Sequence, residues 1–597
     1  MGKEKEKKKW GNSRNTLSQK CFLPVTRQEC LERGWYEVDV VLVTGDAYVD
    51  HPSFGVAMIG RLLEKNGLKV AVLSQPRHQD PEDFRRFGRP RLFFGITSGN
   101  LDSICSNYTG NARVRQKDVY SPFGNPYFGR QRQRQNRRRP DRACIRYTQL
   151  AKEAYKDAIV VLGGIEASLR RFTHYDYQQE ALRSSILTDS KADILVYGMG
   201  ERAILEIAKR LLLGKDLFGI KGTCIPLSDK KATKLVKAKT AVVLPPFEKI
   251  VKEPALFLEA ELIVDRHSRS FSTVPVLQRQ KANWVLQEPP QAPLSAKELD
   301  ELYSLPFMRL AHPRYPDVPA SRMIRNSVTI IRGCPGNCSF CAINRHQGTQ
   351  VYWRSIDSII KELETIKDTP AFDGVITDLG GPTANLFGAT CALNPNESNG
   401  IGKGICKRHD CLYPTPCKNL RIDEDAFLEL LKEVKKIKGI KRIFISSGLR
   451  MELLLRTPRL CREIFENHMP GRIKIAPEHT EDEVLELMHK PTGKLLEEFL
   501  LFTRSLGLKG KKRPRFSAYF ISAHPGCGAE HMKRACEKIK RFALDRIEVQ
   551  DFTATPGTIS TAMYVSGLHR DRLCPIFVPK KRGERKEQRN IIMGCAK

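Results

Sequence analysis

The sequence predicts an α/β protein of two domains: an open, mainly parallel sheet, then six β/α units that curl into a partial barrel. Three observations carry this. Buried-strand patterns alternate with amphipathic helical patterns over residues 37–213, the rhythm of parallel strands joined by crossover helices. The alternation resumes at Ser327 and runs to Thr553 with six strand patterns. The 597 residues exceed one typical domain, and 41% hydrophobic composition is enough for at least two cores.

The first domain begins near Cys21, after a charged stretch, residues 1–20, expected to be a disordered basic tail. Residues 37–45 (EVDVVLVTG) read as a buried strand, 53–67 as an amphipathic helix closing on Gly67, and 68–75 as a second strand. Strand patterns follow at 91–99, 158–164 and 192–198, the last feeding a helix at 201–213. This is an open, Rossmann-like sheet over residues 21–214, shaped like a cobalamin-binding domain. Asp50-His51-Pro-Ser-Phe-Gly55 is close to the cobalamin pattern D-x-H-x-x-G, but no residue separates Asp50 from His51, so cobalamin is not expected. Residues 198–203 (GMGERA) match G-x-G-x-x-A at a helix start but end the sheet instead of opening it, which disfavours a dinucleotide. Residues 129–139 (GRQRQRQNRRR) have no apolar face and read as a solvated basic loop. Residues 166–177 (EASLRRFTHYDY) line a cleft or form a polar network between domains.

Residues 215–310 are less regular, with Lys-rich and Pro-rich passages, and are expected to form a connector with short strands around Val274. The second domain, 311–580, places strands at 327–333, 374–380, 441–448, 472–478, 515–523 and 546–553. Helical patterns such as 355–367 separate them, and Thr480 to Glu483 (TEDE) reads as a capping box. Right-handed crossovers then enforce a parallel arrangement. The basic tail, 581–597, is expected to be a frayed or partner-dependent helix.

The chemistry centres on residues 332–341 (RGCPGNCSFC), where Cys334, Cys338 and Cys341 are spaced C-x3-C-x2-C on a glycine-rich loop leaving the first strand of the second domain. Three thiolates at this spacing hold three irons of a 4Fe-4S cluster and leave the fourth open to a substrate or cofactor. The competing reading is zinc with a fourth ligand from elsewhere. A loop at a strand's C-terminal end is where barrels and open sheets build active sites, which favours the cluster.

The loop, with Phe340 before its last cysteine, resembles the signature of the radical S-adenosylmethionine (SAM) enzymes. Residues 378–385 (DLGGPTAN), 473–479 (IKIAPEH), 519–526 (YFISAHPG), 552–557 (FTATPG), 163–171 (GGIEASLRR) and 197–201 (YGMGE) are similar to the YgiQ type of that superfamily. The resemblance runs from about residue 21 to 580. It implies a partial (β/α)6 radical SAM barrel and Cys334, Cys338 and Cys341 as cluster ligands. SAM would be chelated at the open iron and cleaved by one electron to methionine and a 5′-deoxyadenosyl radical. It also implies cofactor contacts from Phe340, from the glycine motif Gly380 and Gly381, and from Ser446 and Glu478 at strand ends. The family's substrate is not disclosed by its motifs, and no residue is singled out as catalytic; His479, His524, Glu478 and Arg450 sit at strand ends, where a substrate would be held, although one histidine per strand end is commonly structural.

A second cysteine group, Cys391, Cys406, Cys411 and Cys417, falls in an irregular insertion at 382–420. Such a loop buries little apolar surface, so a zinc ion or a second Fe-S cluster is expected to order it, with His409 as a spare ligand. All 17 cysteines, an odd number without a secreted framework, fit a reducing compartment and metal binding better than disulfides.

No stretch approaches a membrane span and no secretory leader is visible, so a cytoplasmic protein without membrane contact is expected. A one-electron reductant of flavodoxin or ferredoxin type is implied. Lys and Arg total 100 against 67 acidic residues, a net charge of +33 that favours polyanions. Two alternatives therefore stand: an RNA-modifying radical SAM enzyme, or a non-catalytic Fe-S electron-transfer or regulatory protein.

Overall fold

The computed structural model describes residues 21–596, apart from 269–271, 370–371, 394–399, 402–405, 407–409, 511–512, 543 and 545. The tail 1–20 and His409 lie outside the described residues.

Five parallel strands form the heart of the first domain: β1 (Val40–Thr44), β2 (Val70–Ser74), β3 (Phe93–Thr97), β4 (Val160–Leu162) and β5 (Ile194–Val196). Their order is β2-β1-β3-β4-β5. Each falls where the sequence pattern puts a strand. They read as unbroken apolar runs because both faces are covered: Val40, Leu42, Val70 and Val72 enter one core while Val41, Val43, Ala71 and Leu73 enter the other. Helices α1 (Gly55–Lys65) and α2 (Glu201–Leu212) cover one face. Gly60 of α1 has no room for a Cβ against Leu23, which sets how closely the helix approaches.

Residues 215–310 are not a connector. They supply β6 (Thr223–Leu227), β7 (Val242–Val243), β8 (Val276–Gln280) and β9 (Asn283–Gln287), which extend the sheet beyond β5 in the order β6-β9-β8-β7 to nine strands. The pairs β5/β6, β6/β9 and β9/β8 are antiparallel. Their pattern is hidden because inward positions are polar: Gln278 Oε1 accepts from the Thr173 N–H at 2.9 Å and Gln280 Oε1 from the Ser185 N–H at 3.0 Å. Buried amides satisfied in this way cost little, but they break the apolar alternation that marks a strand. Helix α3 (Ala255–His267) follows β7 in the chain.

The basic loop also differs from expectation. Arg137 and Arg139 are buried, and Arg139 pairs with Asp46 and with Asp118 at 3.2 Å. Arg138 lies over the Phe128 ring. Within the loop, only residues 129–135 are solvated throughout.

The second domain carries β10 (Ser327–Thr329), β11 (Val375–Ile376), β12 (Asp378–Gly380), β13 (Arg442–Ile443), β14 (Ile473–Glu478), β15 (Phe516–Ser522) and β16 (Arg546–Asp551). They lie within the six predicted strand positions. Parallel pairs join β10 to β12, β11 to β13, and β14 to β15 to β16. Helices α4 (Ile343–Gln347), α5 (Ile356–Lys367), α6 (Glu424–Lys435), α7 (Pro458–Asn467), α8 (Lys494–Ser505) and α9 (Ala529–Phe542) alternate with them. Ile359, Leu363, Leu430 and Phe499 share one apolar core with the strands.

The C-terminal segment forms the expected helix, but it is not frayed: α10 (Arg582–Met593) packs on α9 and β16. Gln588 bonds to Ala523 N–H and Cys527 C=O, and Cys595 forms a disulfide with Cys536 of α9. This pair is a correction to the expectation of thiols throughout.

The two domains meet through fixed polar contacts, among them Arg332–Glu201 (2.7 Å), Arg345–Asp265 (3.0 Å) and Asn111–Asp551 (2.6 Å). Among the described residues no helix is long and apolar enough to cross a membrane.

Candidate functional site

After β10 the chain turns at Ile330, and Ile331–Arg332 pairs antiparallel with Val351–Trp353, so the cysteine loop starts from a fixed ledge. Gly333 opens it with φ +83, and a Cβ there would overlap the Gln350 carbonyl oxygen; only glycine fits. The loop is pinned along its length. Cys334 N–H donates to Gly348 C=O (3.1 Å), Ser339 N–H to Met488 C=O (3.0 Å), and Asn337 Nδ2 to Asp410 Oδ1 (2.8 Å).

The structure brings the three predicted thiols together. Cys334 is buried, and Cys338 and Cys341 are half-buried. Burial first, then the neighbouring sulfurs of Cys338 and Cys334, push the Cys341 thiol up to about 12. Sequence reasoning set aside the residue that sits against them. Arg450 places a guanidinium nitrogen 3.4 Å from Cys334 Sγ and 3.9 Å from Cys338 Sγ. Its other nitrogen pairs with Glu452 at 3.0 Å, and Asn385 holds its backbone. A Cβ on Gly336 would strike the guanidinium. The only early signal was its place just beyond a strand end.

Among the described residues, no three His, Cys, Asp or Glu side chains are grouped to hold a single metal ion. A polynuclear cluster spaces its thiolates around several irons, not around one. Cys334 and Cys338 beside a cation that offsets thiolate charge, with both sulfurs acting on the Cys341 thiol, fit a cluster.

The end of β12 faces this loop. Asp378 accepts from Ser446 N–H (2.8 Å), from Ser447 N–H (3.0 Å) and from the Ser447 hydroxyl, tying the second strand end to the third. Burial raises the Asp378 pKa against the pull of those donors. Gly380 and Gly381 are required by close approach: a Cβ on Gly380 would strike Ser447 Oγ, and one on Gly381 would lie 2.5 Å from the Ile331 carbonyl oxygen. Ser446 spends its hydroxyl on Thr377 C=O at 2.7 Å. Glu478 ends β14 at φ +68, and burial holds its carboxyl above the usual range despite Lys490 and Arg450 nearby. Phe340 packs edge-on to His524.

The strand-end histidines are committed elsewhere. His479 accepts the Glu481 N–H on Nδ1 (3.1 Å) and lies beside Met532 Sδ and Cys527 Sγ, while His524 Nε2 bonds Ser560 Oγ at 2.6 Å. Burial lowers them to about 3 and about 4. In the insertion, Cys391 pairs with Leu420, Leu420 N–H bonds Cys417 C=O, and Cys417 N–H bonds Cys411 C=O. Backbone pairing thus neighbours three of the four cysteines; Cys406 lies between segments outside the described residues.

A cavity of ≈ 570 Å³ lies between the C-terminal ends of β1, β3, β4 and β5 and the second-domain residues Thr329, Arg332, Gly381 and Pro382.

Three thiols on a strand-end loop, facing a glycine pair and covered by a parallel sheet domain, define an iron–sulfur enzyme with a sheltered reaction space. Comparison with known proteins is specific. Residues 22–327 match the radical SAM N-terminal family and 328–539 the radical SAM superfamily. A UPF0313 protein of Thermotoga neapolitana is 44% identical over 557 residues, covering 92% of this chain and 94% of its own. Another from Geobacter sulfurreducens is 42% identical, covering 96% and 92%. The chain belongs to the UPF0313 family of the radical SAM superfamily, and it is a radical SAM enzyme. In fold it is similar to the radical SAM methyltransferase TsrM from Kitasatospora setae, solved with cobalamin and a 4Fe-4S cluster (TM-score 0.50, 14% identity, 86% and 74% coverage).

Proposed function

We propose that Cys334, Cys338 and Cys341 hold the 4Fe-4S cluster and that SAM lies along the Gly380-Gly381 backbone, with Phe340, Ser446 and Glu478 around it. The six strand positions then form a partial (β/α)6 barrel. When bound, the cluster supplies one electron at an iron left open for SAM. The observation that carries this reading is the Arg450 guanidinium against the sulfurs of Cys334 and Cys338, with the Cys341 thiol beside both. Arg450 offsets the thiolate charge, Gly380 and Gly381 leave the backbone bare for a ligand's amino group, and Asp378 holds the third strand end against the second. The buried walls exclude water from a reactive radical.

The substrate is not given by these groups. A second cluster at Cys391, Cys406, Cys411 and Cys417 has the backbone pairing that neighbours three of them in its favour, whereas a zinc ion has no three grouped side chains there among the described residues. A histidine-ligated cobalamin has no support from Asp50-His51: Asp50 is paired with Arg61, and buried His51 accepts the Ser53 N–H on Nδ1. The reaction needs a one-electron reductant, flavodoxin or ferredoxin in type, and a reducing, cytoplasmic setting. An RNA substrate is favoured by the net charge of +33 but weakened by the burial of Arg137 and Arg139.

The test is anaerobic reconstitution with iron and sulfide, reduction by dithionite, and assay of 5′-deoxyadenosine after adding SAM. Product is expected from the wild type and none from Cys338→Ala. A loaded cluster whose EPR spectrum ignores SAM would support an electron-transfer protein instead. RNA retained at low salt and shed as salt rises would support the RNA reading.

A further inference from the structure

We infer that the cavity between the two domains binds an uncharged, largely apolar small molecule that presents an N–H or O–H group to Nε2 of His346, and that this is the substrate class of the radical reaction. The substrate assignment rests on the reading above; the binding site does not.

Position is the first argument. From β1 the chain passes to β2 on one side, and β3 then lies on the other, so the crevice beyond β1 and β3 is the sheet's topological switch point. Open α/β sheets bind ligands there. Here the crevice is roofed by the second domain: Thr329, Arg332, Gly381 and Pro382 close it, so its occupant touches the strand ends proposed to hold SAM. Its ≈ 570 Å³ lies inside the range of small-molecule sites, about 300–1,000 Å³.

Polarity is the second. The walls include Leu42, Met58, Ile96, Val161, Val196 and Ile204. Every charged carboxylate or guanidinium on the lining is already matched: Glu201 by Arg332 at 2.7 Å, and Asp46 by Arg139 and by the Asn100 N–H at 2.7 Å. A charged ligand would lose its water and find no counter-charge, whereas an uncharged one loses little.

His346 is the third. Its Nδ1 lies 3.0 Å from Ser168 Oγ. That hydroxyl has one proton, which Gly164 C=O accepts at 2.9 Å, and it also receives the Gly198 N–H at 3.0 Å. With the Ser168 proton assigned to Gly164 C=O, Nδ1 carries the ring proton and donates it to Ser168, leaving the Nε2 lone pair without a partner among the described residues. Burial lowers His346 to about 4, so the ring stays neutral at pH 7. An unpaired acceptor in a mainly apolar cavity selects for a ligand that presents a donor to it, because a ligand lacking one leaves the acceptor unpaired.

The probes are N-phenyl-1-naphthylamine, an uncharged aromatic amine with one N–H, and 8-anilinonaphthalene-1-sulfonate, the same skeleton with a negative charge. Both are titrated by fluorescence against the full chain. One equivalent of the uncharged probe is expected to bind, at least tenfold more tightly than the sulfonate. Gly163 is extended at φ −157 with no atom within 4 Å of a Cβ, so Gly163→Val fills the cavity without strain. That variant and Met199→Trp, from a different wall, are each expected to weaken binding at least tenfold, and His346→Leu about fivefold. Should Gly163→Val lower the melting temperature, Met199→Trp carries the comparison.

Binding untouched by both filling variants would overturn the site. Sulfonate binding as tightly as the uncharged probe would overturn the ligand class. Displacement of SAM by the probe would overturn a separate substrate pocket. Retention of hydroxocobalamin by the wild type but not by Gly163→Val would replace the substrate with a corrinoid. Because the probes need no cluster, Cys338→Ala should bind them like the wild type even if no 5′-deoxyadenosine ever forms, which separates failure of this inference from failure of the enzyme reading.

Discussion

Replacing Gly333 with alanine should cost the protein its iron, and the structure separates two reasons. The first is conformational: a residue with a Cβ at φ +83 pays about 1–2 kcal/mol in the left-handed region. The second is contact: the new Cβ would overlap the Gln350 carbonyl oxygen, a backbone atom just before the strand Val351–Trp353 that pairs with Ile331–Arg332, and overpacking of this kind costs about 1–3 kcal/mol more. The ledge cannot yield easily, so the loop carrying Cys334 must move, and its sulfur moves with it. Gly567 gives the control: it follows a helix at φ +72, ψ +17 with no atom within 4 Å of a Cβ, so alanine there meets only the first cost. Guanidinium chloride titration should show Gly567→Ala less stable by about 1–2 kcal/mol and Gly333→Ala by about 2–5 kcal/mol. Iron and sulfide per chain after anaerobic reconstitution should be unchanged in Gly567→Ala and strongly reduced in Gly333→Ala. Wild-type iron content in Gly333→Ala would refute the claim that this contact positions the cysteine loop.

The buried cation beside the thiols should set the ease of reduction. At 3.4 Å and an effective dielectric of 20 one unit charge is worth about 5 kcal/mol, or about 200 mV for one electron, as an upper bound. Arg450→Gln should thus make the midpoint potential of the reconstituted cluster more negative by tens of millivolts up to that bound, with Arg450→Lys recovering part of it; a positive shift in EPR-monitored titration would contradict this. Glu261 is a buried carboxyl pushed up to about 7, chiefly by burial. Its folded pKa lies above its unfolded value near 4.5, so its favourable contribution is complete below pH 4.5 and is lost as pH rises through 7. Glu261→Gln should therefore stabilise the chain at pH 8 by up to about 3 kcal/mol and hardly alter it at pH 4.5; urea titrations at the two pH values with equal shifts would rule this out. The Cys536–Cys595 disulfide closes a loop of sequence separation 59 and should add up to about 4 kcal/mol. Cys536→Ser should lower the melting temperature in oxidising buffer and match the wild type in dithiothreitol; a difference surviving reductant would point to packing instead.

The strands of the two parallel systems were legible because their physics is repetitive. Double-sided burial writes Val-rich runs such as 40–44 and 70–74, and helices between them write 3.6-residue stripes. What escaped was structure built on polar groups. Gln278 and Gln280 make a strand look like a linker, Arg137 and Arg139 make a buried buttress look like a solvated loop, and the charges of α10 hide the inward faces of Gln588 and Ile592. Thr480 to Glu483 reads as a capping box, yet the helix begins at Asp482 with Glu481 as its cap residue, because Glu481 is drawn to Arg534 and Lys538. The same limit applies to the site. Three thiols at C-x3-C-x2-C and two adjacent glycines have local signatures. Arg450 and His346 do not: their roles arise from partners more than 100 residues away, at Cys334 and Ser168.

Those distant partners explain why the two domains form one site. The loop from Gly333 to Gln350 is held at its root by Arg332 on Glu201, at α4 by Arg345 on Asp265, and by His346 on Ser168. Glu201 opens α2, Asp265 lies in α3 and Ser168 sits after β4, so three elements of the first domain grip the one loop of the second that carries the thiols. Two of these contacts are largely buried ion pairs, in which loss of one partner strands the other at a cost of about 3–5 kcal/mol, and the third is a hydrogen bond to a neutral imidazole. Any displacement of the first domain would thus drag on the cysteine loop, and an occupant wedged between the domains is mechanically tied to the group that would act on it.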